Sequence, residues 1–393
     1  MKPTAAVYLD NAATTRLDPE VLDAMLPLMT EQFGNPSSIH SHGRAVRTAI
    51  EKARKTVASL LNTSPAEIFF TSGGTEADNT AIRSSIETYG LTHAITSPLE
   101  HHAVLHTLQH LAEQGTIQLS LVNIDDKGHV DLAHLDELLR SHQNEAGRTR
   151  SLVSLMHGNN EIGNMLNLNR AGEICRAHEA IFHSDTVQTM GHFPHNLQQL
   201  PVDFIVGSGH KFHGPKGVGF LYVNAGRVKI NPFVYGGAQE RNMRGGTENV
   251  YGIVGLAKAL EIAYRDMDAH QQHITFLKRR MIDSLRAKMP DVQFNGDSAD
   301  VENSLYTVLN VSLPASDMSD MLLFSLDIAR ISASGGSACS SGSSIGSHVL
   351  AALPELDSER GYVRFSFGKY NTEADIDYAV DTLVALYQKE LVK

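Results

Sequence analysis

The apolar positions of the chain recur in two rhythms. Short continuous runs read as buried strands: "EIFF" at 67–70, "HAIT" at 93–96, "SLVSLMH" at 151–157, "AIFHSD" at 180–185, "VDFIVGS" at 202–208 and "GVGFLYV" at 217–223. Between them stand stretches with the helical period, among them "EADNTAIRSSIETYG" and "LEHHAVLHTLQHLAEQG". Strands that are apolar on both faces and alternate with helices predict a mostly parallel sheet covered on both sides. The texture changes after about residue 260. A long helical stretch, "AHQQHITFLKRRMIDSLRAKM", leads to the strand candidates "LYTVLNVSL" and "YVRFSFG". In the closing "TEADIDYAVDTLVALYQKEL", Ile376, Val380, Leu383, Tyr387 and Leu391 fall at steps of three and four, one apolar helical face. The pattern predicts an α/β chain with a large domain over 15–259. A smaller α+β domain is expected from 260–393 together with residues 1–14. No internal repeat, heptad seam or long linker breaks this organisation.

Composition narrows the classes. The chain has 393 residues, 42% of them hydrophobic, which is ample for a packed core. Asp plus Glu is 44 against 33 Lys plus Arg, a net charge of -11 without a basic run. That balance argues against nucleic acid or an anionic membrane surface as partner. No run of about 18 apolar residues exists, so no membrane span is expected. The opening "MKPTAAVYLDNAATT" has no apolar h-region, so no signal peptide is expected. The two cysteines, Cys175 and Cys339, do not make a disulfide framework and point to a reducing, cytoplasmic setting. Cys175 falls on an apolar helical face in "AGEICRAHEA" and reads as a buried structural thiol. Twenty histidines invite a metal reading. The spacings oppose it: His178 and His183 are five apart where a metalloprotease helix needs four, and His102 and His106 lack a glutamate correctly placed between them. No metal site is expected.

In an open parallel sheet, ligands bind beyond the carboxyl ends of the strands, and three polar segments fall there. "FFTSGGTEADN" is strand, glycine turn and helix start, a geometry suited to phosphate. "IFHSDTVQTMG" ends a strand at Asp185, a carboxylate that could hold a protonated ring nitrogen or could simply cap a helix. "VDFIVGSGHKFHGPKGVGF" places Ser208, His210 and Lys211 past the next strand. A shielded lysine there can supply the neutral amine that a Schiff base requires, although a solvated lysine in a glycine-rich loop is the commoner fate. Together, a phosphate cradle, an acidic partner and such a lysine are the demands of pyridoxal 5'-phosphate. A last segment is unusual: "SASGGSACSSGSS" surrounds Cys339 with small residues, a composition that predicts reach for its thiol.

These blocks resemble a known family. "YLDNAATT", "FGNPSSIHSHG", "TSGGTEADN", "EHHAVL", "MHGNNEIG", "HSDTVQTMG", "SGHKFHGPKGVGFLYV", "ERNMRGGTENV", "SGGSACSSGS" and "VRFSFGKYNTEADID" run in the order found in the cysteine desulfurases, pyridoxal-phosphate enzymes of the class V aminotransferase group. The resemblance implies fold type I of these enzymes, with a seven-stranded, mostly parallel sheet. It implies that Lys211 bonds the cofactor aldehyde, Asp185 holds the pyridine nitrogen and Gln188 its phenolic oxygen. Asn160 would lie beside ring and substrate, and His101 would stack on the ring and could move a proton. Gly74, Thr75, Ser208 and His210 would bind the phosphate, and Thr247 would reach the phosphate of a neighbouring subunit in a homodimer. Asn35 and Arg364 would bind the substrate carboxylate. Cys339 would take sulfur from L-cysteine as a persulfide and pass it to an acceptor protein, for iron–sulfur cluster assembly or tRNA thiolation. The segment departs from the commonest family form, which carries serine where Gly335 or Gly336 stands. A selenocysteine lyase, or another lyase or aminotransferase of the family, is the nearest alternative. A non-catalytic sulfur-trafficking partner with the same fold is the alternative of another class, and the intact Lys211 argues against it.

Overall fold

The computed structural model describes residues 6–146, 150–316, 319–335, 346–357 and 359–388. Its centre is a seven-stranded sheet. The strands are β2 (Ile68–Thr71), β3 (His93–Thr96), β4 (Gln118–Leu121), β5 (Leu152–Ser154), β6 (Ile181–Ser184), β7 (Phe204–Ser208) and β8 (Gly219–Val223), after a short N-terminal β1 (Val7–Tyr8). Their order is β2-β8-β7-β6-β5-β3-β4. The pairs from β4 through β7 are parallel, and β8 runs antiparallel to both β2 and β7. The expected seven-stranded, mostly parallel sheet is therefore present.

Both faces of the sheet are buried, as the continuous apolar runs require. Successive residues of β7 and β8 point to opposite cores. Ile205, Phe220 and Tyr222 join the helices α1 (Pro19–Thr30), α2 (Ser41–Leu60), α5 (Leu132–Ala146), α6 (Leu168–Ala177) and α7 (Val250–Arg265). Phe204, Val206, Leu221 and Val223 join α3 (Gly74–Tyr89) and α4 (His102–Glu113) on the other face. Gly207 breaks the apolar run because a Cβ there would lie 2.3 Å from the ring of Phe220 on the adjacent strand. Cys175 is buried in α6, and burial pushes its thiol pKa up, so it is an inert packing group. Strand β4 was not expected: "QLSL" is half-exposed at the sheet edge and lacks an apolar run.

A second core is built from α8 (Met267–Lys288), α9 (Leu322–Ile328) and α11 (Glu373–Gln388) against the sheet β12-β10-β9, formed by β9 (Gln293–Phe294), β10 (Val308–Leu313) and β12 (Gly361–Ser366). Strand β11 (Ile331–Ser332) and the short α10 (His348–Ala351) complete the described strands and α-helices. Ile376, Val380, Leu383 and Tyr387 of α11 are buried there, whereas Leu391 lies outside the described residues. The N-terminal strand belongs to this core: β1 pairs in parallel with β11, and Val7 and Leu9 are buried in it. From there the chain crosses to the large sheet. Ser366 N donates to Leu9 O at 2.7 Å and Thr15 N donates to His210 O at 2.9 Å. Residues 10–15 thereby bridge the two cores past the end of β7, with a turn in which Ala13 N donates to Asp10 O at 3.1 Å.

Candidate active site

The carboxyl ends of β6 and β7 and the start of α3 enclose a cavity of about 200 Å3. It is lined by Gly74, Thr75, His101, Asn160, Asp185, Gln188, Ser208, His210, Lys211 and Arg364, all expected at a ligand site. Ala12, Ala13, Asp78, Met156 and Val187 line it as well, and sequence reasoning assigned them no role. The signal for Asp78 was available: it stands four residues after Gly74, on the same face of α3.

Lys211 ends the single turn Gly209–Lys211 that follows β7. Its Nζ donates to the carbonyls of Ala12 at 2.5 Å and Ala13 at 3.0 Å, so the crossing N-terminal segment holds the amine in place. Gln188 Nε2 donates to the same Ala12 carbonyl at 3.1 Å. Asp185 follows β6 and accepts from Val187 N at 2.8 Å. Burial raises the Asp185 pKa, and the Val187 amide and the Lys211 charge oppose that rise without cancelling it. Two further carboxyl groups lie near. Asp78 and Glu100 are fully buried, and burial, with repulsion from Asp185, holds both well above the usual carboxylate range. Asp78 Oδ1 is 3.3 Å from His183 Nε2 without the alignment of a hydrogen bond.

The end of the cavity expected to take a phosphate is built from α3 and the turn after β7. Gly73, the N-cap of α3, makes no side-chain capping bond, so no side chain of the cap occupies the first-turn amides. A Cβ on Gly74 would sit 2.7 Å from Val187 Cγ2, and glycine lets the helix start pack this close. His210 Nδ1 is 3.2 Å from Thr14 Oγ1, and its pKa is lowered to about 4, first by burial and then by Lys211. His101 is the N-cap of α4, its Nδ1 accepting from Ala103 N at 3.1 Å. Burial, and then the Lys211 charge, lower its pKa to about 4, so the ring is neutral at ordinary pH.

Arg364, on β12, brings the second core to the cavity. It is almost fully buried; Nη2 pairs with Asp10 Oδ1 at 2.8 Å and Nη1 donates to Asn160 O at 3.0 Å. Its buried Nε has no protein hydrogen-bond partner among the described residues. An orphaned cationic donor and an uncapped helix start suit an anionic ligand at each end of the cavity, with the Asp185 carboxyl and the Lys211 amine between. The donor set fits pyridoxal phosphate carrying an amino acid.

Two expected residues are not brought here within one chain. Asn35 is exposed in the loop after α1, where its Oδ1 accepts from Ser37 N at 2.9 Å. Thr247 lines a separate cavity of about 180 Å3 with Glu240, Arg244 and Glu248. Cys339 lies outside the described residues. The pairs first tested for metal also have other places. His178 caps the end of α6 while His183 stands on β6, and the rings of His102 and His106 stack with centroids 4.3 Å apart.

Comparison with known proteins agrees with this arrangement. The family model described as Aminotransferase class-V matches residues 7–379. A protein of Dictyoglomus turgidum named "Cysteine desulfurase IscS" is 42% identical over 387 residues, covering 98% of this chain and 95% of that relative. A "Putative cysteine desulfurase IscS 1" of Bacillus subtilis is 40% identical, covering 95% of this chain and 96% of its own. Among solved structures, a "NifS-like protein" superposes with a TM-score of 0.87 at 36% identity, over 98% of this chain and 100% of the other. "SspA in complex with cysteine" superposes with a TM-score of 0.78 at 28% identity, over 93% of this chain and 99% of the other. A family match that runs through both cores, with relatives alike over nearly their full length, means that the chain belongs to the class-V aminotransferase family, among its cysteine desulfurases.

Proposed function

We propose that the chain is an L-cysteine desulfurase that works with pyridoxal 5'-phosphate, releasing L-alanine and carrying the sulfur away on Cys339. The observation that carries this reading is the convergence of Lys211, Asp185, Gln188, His101 and Arg364 on one cavity that ends at the uncapped start of α3. The cofactor, when bound, supplies an electron sink that labilises bonds at the amino acid's α- and β-carbons. Lys211 Nζ is the amine that would hold it and, once displaced by substrate, move a proton. Asp185 would keep a proton on the ring nitrogen; a cation placed against this buried carboxyl favours its ionised form. His101, neutral and partly buried, suits stacking on the ring and exchange of a proton at its free nitrogen. Arg364 would take the substrate carboxylate with its fork, using the Nε that has no partner among the described residues.

The sulfur step needs a nucleophile that the described residues do not supply: Cys175 is buried in α6. Cys339 is the remaining thiol of the sequence. Its thiolate would form an S–S bond to the substrate sulfur as the Cβ–S bond breaks. The electron pair stays with the carbon fragment, which takes up a proton and leaves as alanine. The persulfide is then open to attack by an acceptor thiol, so a sulfur-acceptor protein is the expected partner. No helix among the described residues is long and apolar enough to cross a membrane.

A homodimer is part of the proposal. Leu22, Leu26 and Met29 form an exposed apolar stripe on α1, and Tyr251, Phe33, Ile39 and Tyr235 are exposed as well. Thr247 and Asn35 lie outside their own chain's cofactor cavity, and would serve a shared site. Leu26→Glu is expected to give a monomer by sedimentation; an unchanged mass would count against this face. The activity itself is tested by incubating the holoprotein with L-cysteine and an added thiol. Alanine and sulfide in equal amounts are expected. A keto acid would point to transamination, and no product at all would defeat the reading.

A further inference from the structure

Glu76 stands in the first turn of α3, two residues after Gly74. The helix dipole favours a carboxylate there, but a phosphate dianion at the same helix start would be repelled by it. The side chain is 12% exposed and is not left alone. Arg244 Nε donates to Glu76 Oε1 at 2.9 Å and Nη2 donates to Oε2 at 3.1 Å, a two-pronged pair. Ser72 N also donates to Oε2 at 3.0 Å. Burial pushes the Glu76 pKa up, and these contacts outweigh it and hold the group below its usual range.

The segment that delivers Arg244 is held in a costly shape. Glu240, Arg241 and Asn242 have φ values of 45°, 57° and 66°, the left-handed region that side chains disfavour. Such backbone persists only where its surroundings over-determine it. Here Arg54 grips Glu240 with two bonds of 2.7 and 2.8 Å, and Phe70 N donates to the same carboxylate at 2.8 Å. Beyond Arg244, Gly245 N donates to Val234 O at 2.9 Å, and a Cβ on Gly245 would lie 2.5 Å from Gly236 Cα. One fork pair thus ties the segment to α2 and β2, and the other ties it to the first turn of α3.

We propose that Arg244 is a positioning residue for the cofactor phosphate: it neutralises Glu76 and fixes the α3 turn, so that a phosphate dianion can be held at Gly74 and Thr75. The inference rests on the phosphate subsite proposed above, and it gives the segment 239–249 a task within its own chain. A purely structural strut would not care about the charge of Glu76; a charge shield would.

The test is titration of cofactor-free protein with pyridoxal 5'-phosphate, followed by absorbance. Arg244→Gln is expected to weaken binding about tenfold or more, the scale of exposing one partly buried charge beside the ligand. Binding of pyridoxal, which lacks the phosphate, should change far less. The double variant Arg244→Gln with Glu76→Gln should recover most of the loss, and Glu76→Gln alone should bind at least as tightly as the parent. Unchanged affinity in Arg244→Gln, a loss that the second substitution does not recover, or weaker binding by Glu76→Gln alone overturns the inference. If the parent protein binds no pyridoxal phosphate, the phosphate subsite itself fails, a distinct result.

Discussion

Replacing Arg364 by Gln is the most informative perturbation of the substrate end of the cavity. The guanidinium is 1% exposed, fixed by Asp10 Oδ1 at 2.8 Å and Asn160 O at 3.0 Å, and its Nε has no partner among the described residues. A substrate carboxylate on this fork would gain two charge-assisted hydrogen bonds, each worth roughly 1.5–3 kcal/mol. Their loss, about 3–6 kcal/mol, corresponds to roughly 10²–10⁴ in kcat/KM at about 1.4 kcal/mol per factor of ten. The cofactor spectrum should persist, because Lys211 and the start of α3 are untouched. Arg364→Lys keeps the charge but not the fork and should fall between. The assay is alanine release over a range of cysteine concentrations, with the absorbance of bound cofactor as the check on folding. A fall of less than about fivefold in kcat/KM, with the spectrum intact, would refute the carboxylate role.

Three other outcomes are expected. Lys278 is fully buried on α8, donating to Ser304 Oγ at 2.8 Å and Leu305 O at 3.1 Å, and burial lowers its pKa from 10.5 to about 7 against the pull of Asp300 and Asp297. The unfolded chain then binds the extra proton between those values, so this group makes stability rise with pH across that window and costs most below it. Lys278→Met should remove that rise; a difference in urea midpoint between parent and variant that is the same at neutral and alkaline pH would contradict it. Glu240→Gln strips the buried Arg54 of its buried counter-charge, leaving only the part-exposed Glu51 at 3.1 Å from Nε, and should destabilise the protein by up to roughly 3–5 kcal/mol, read by urea unfolding; a loss under about 1 kcal/mol would show that the pair is not needed to hold the turn. Cys339→Ala should abolish sulfur transfer with cofactor binding retained, whereas Cys175→Ala should leave transfer intact at a stability cost of about 1 kcal/mol; the reverse pattern by persulfide labelling would reassign the thiol.

Much of the fold was legible because burial on both sheet faces leaves an uninterrupted apolar run. "HAIT" matches β3 residue for residue, and "VDFIVGS" overshoots β7 by two. Strand β4 was missed because an edge strand that is part-exposed on both faces carries no such run. The cavity was legible where chemistry is local: Asp185 and Lys211 each follow a strand, as a parallel sheet requires of its ligand site. Relations between distant segments were not. Nothing in the spacing says that Ala12 O receives both Lys211 Nζ and Gln188 Nε2, or that Arg244 returns to Glu76. Those contacts arise from chain crossings between the cores and from a left-handed turn without glycine, neither of which leaves a periodic trace. Asn35 and Thr247 could be read as site residues only through resemblance, because one chain alone does not carry them to the cavity.

Every role proposed for the cavity requires that Lys211 be the amine that bonds the cofactor. Borohydride reduction of the holoprotein, followed by peptide mass analysis, reads that bond directly. A phosphopyridoxyl group on Lys211, absent from Lys211→Ala, is the result predicted. Label on a different lysine, or none on a protein that turns over cysteine, would contradict it.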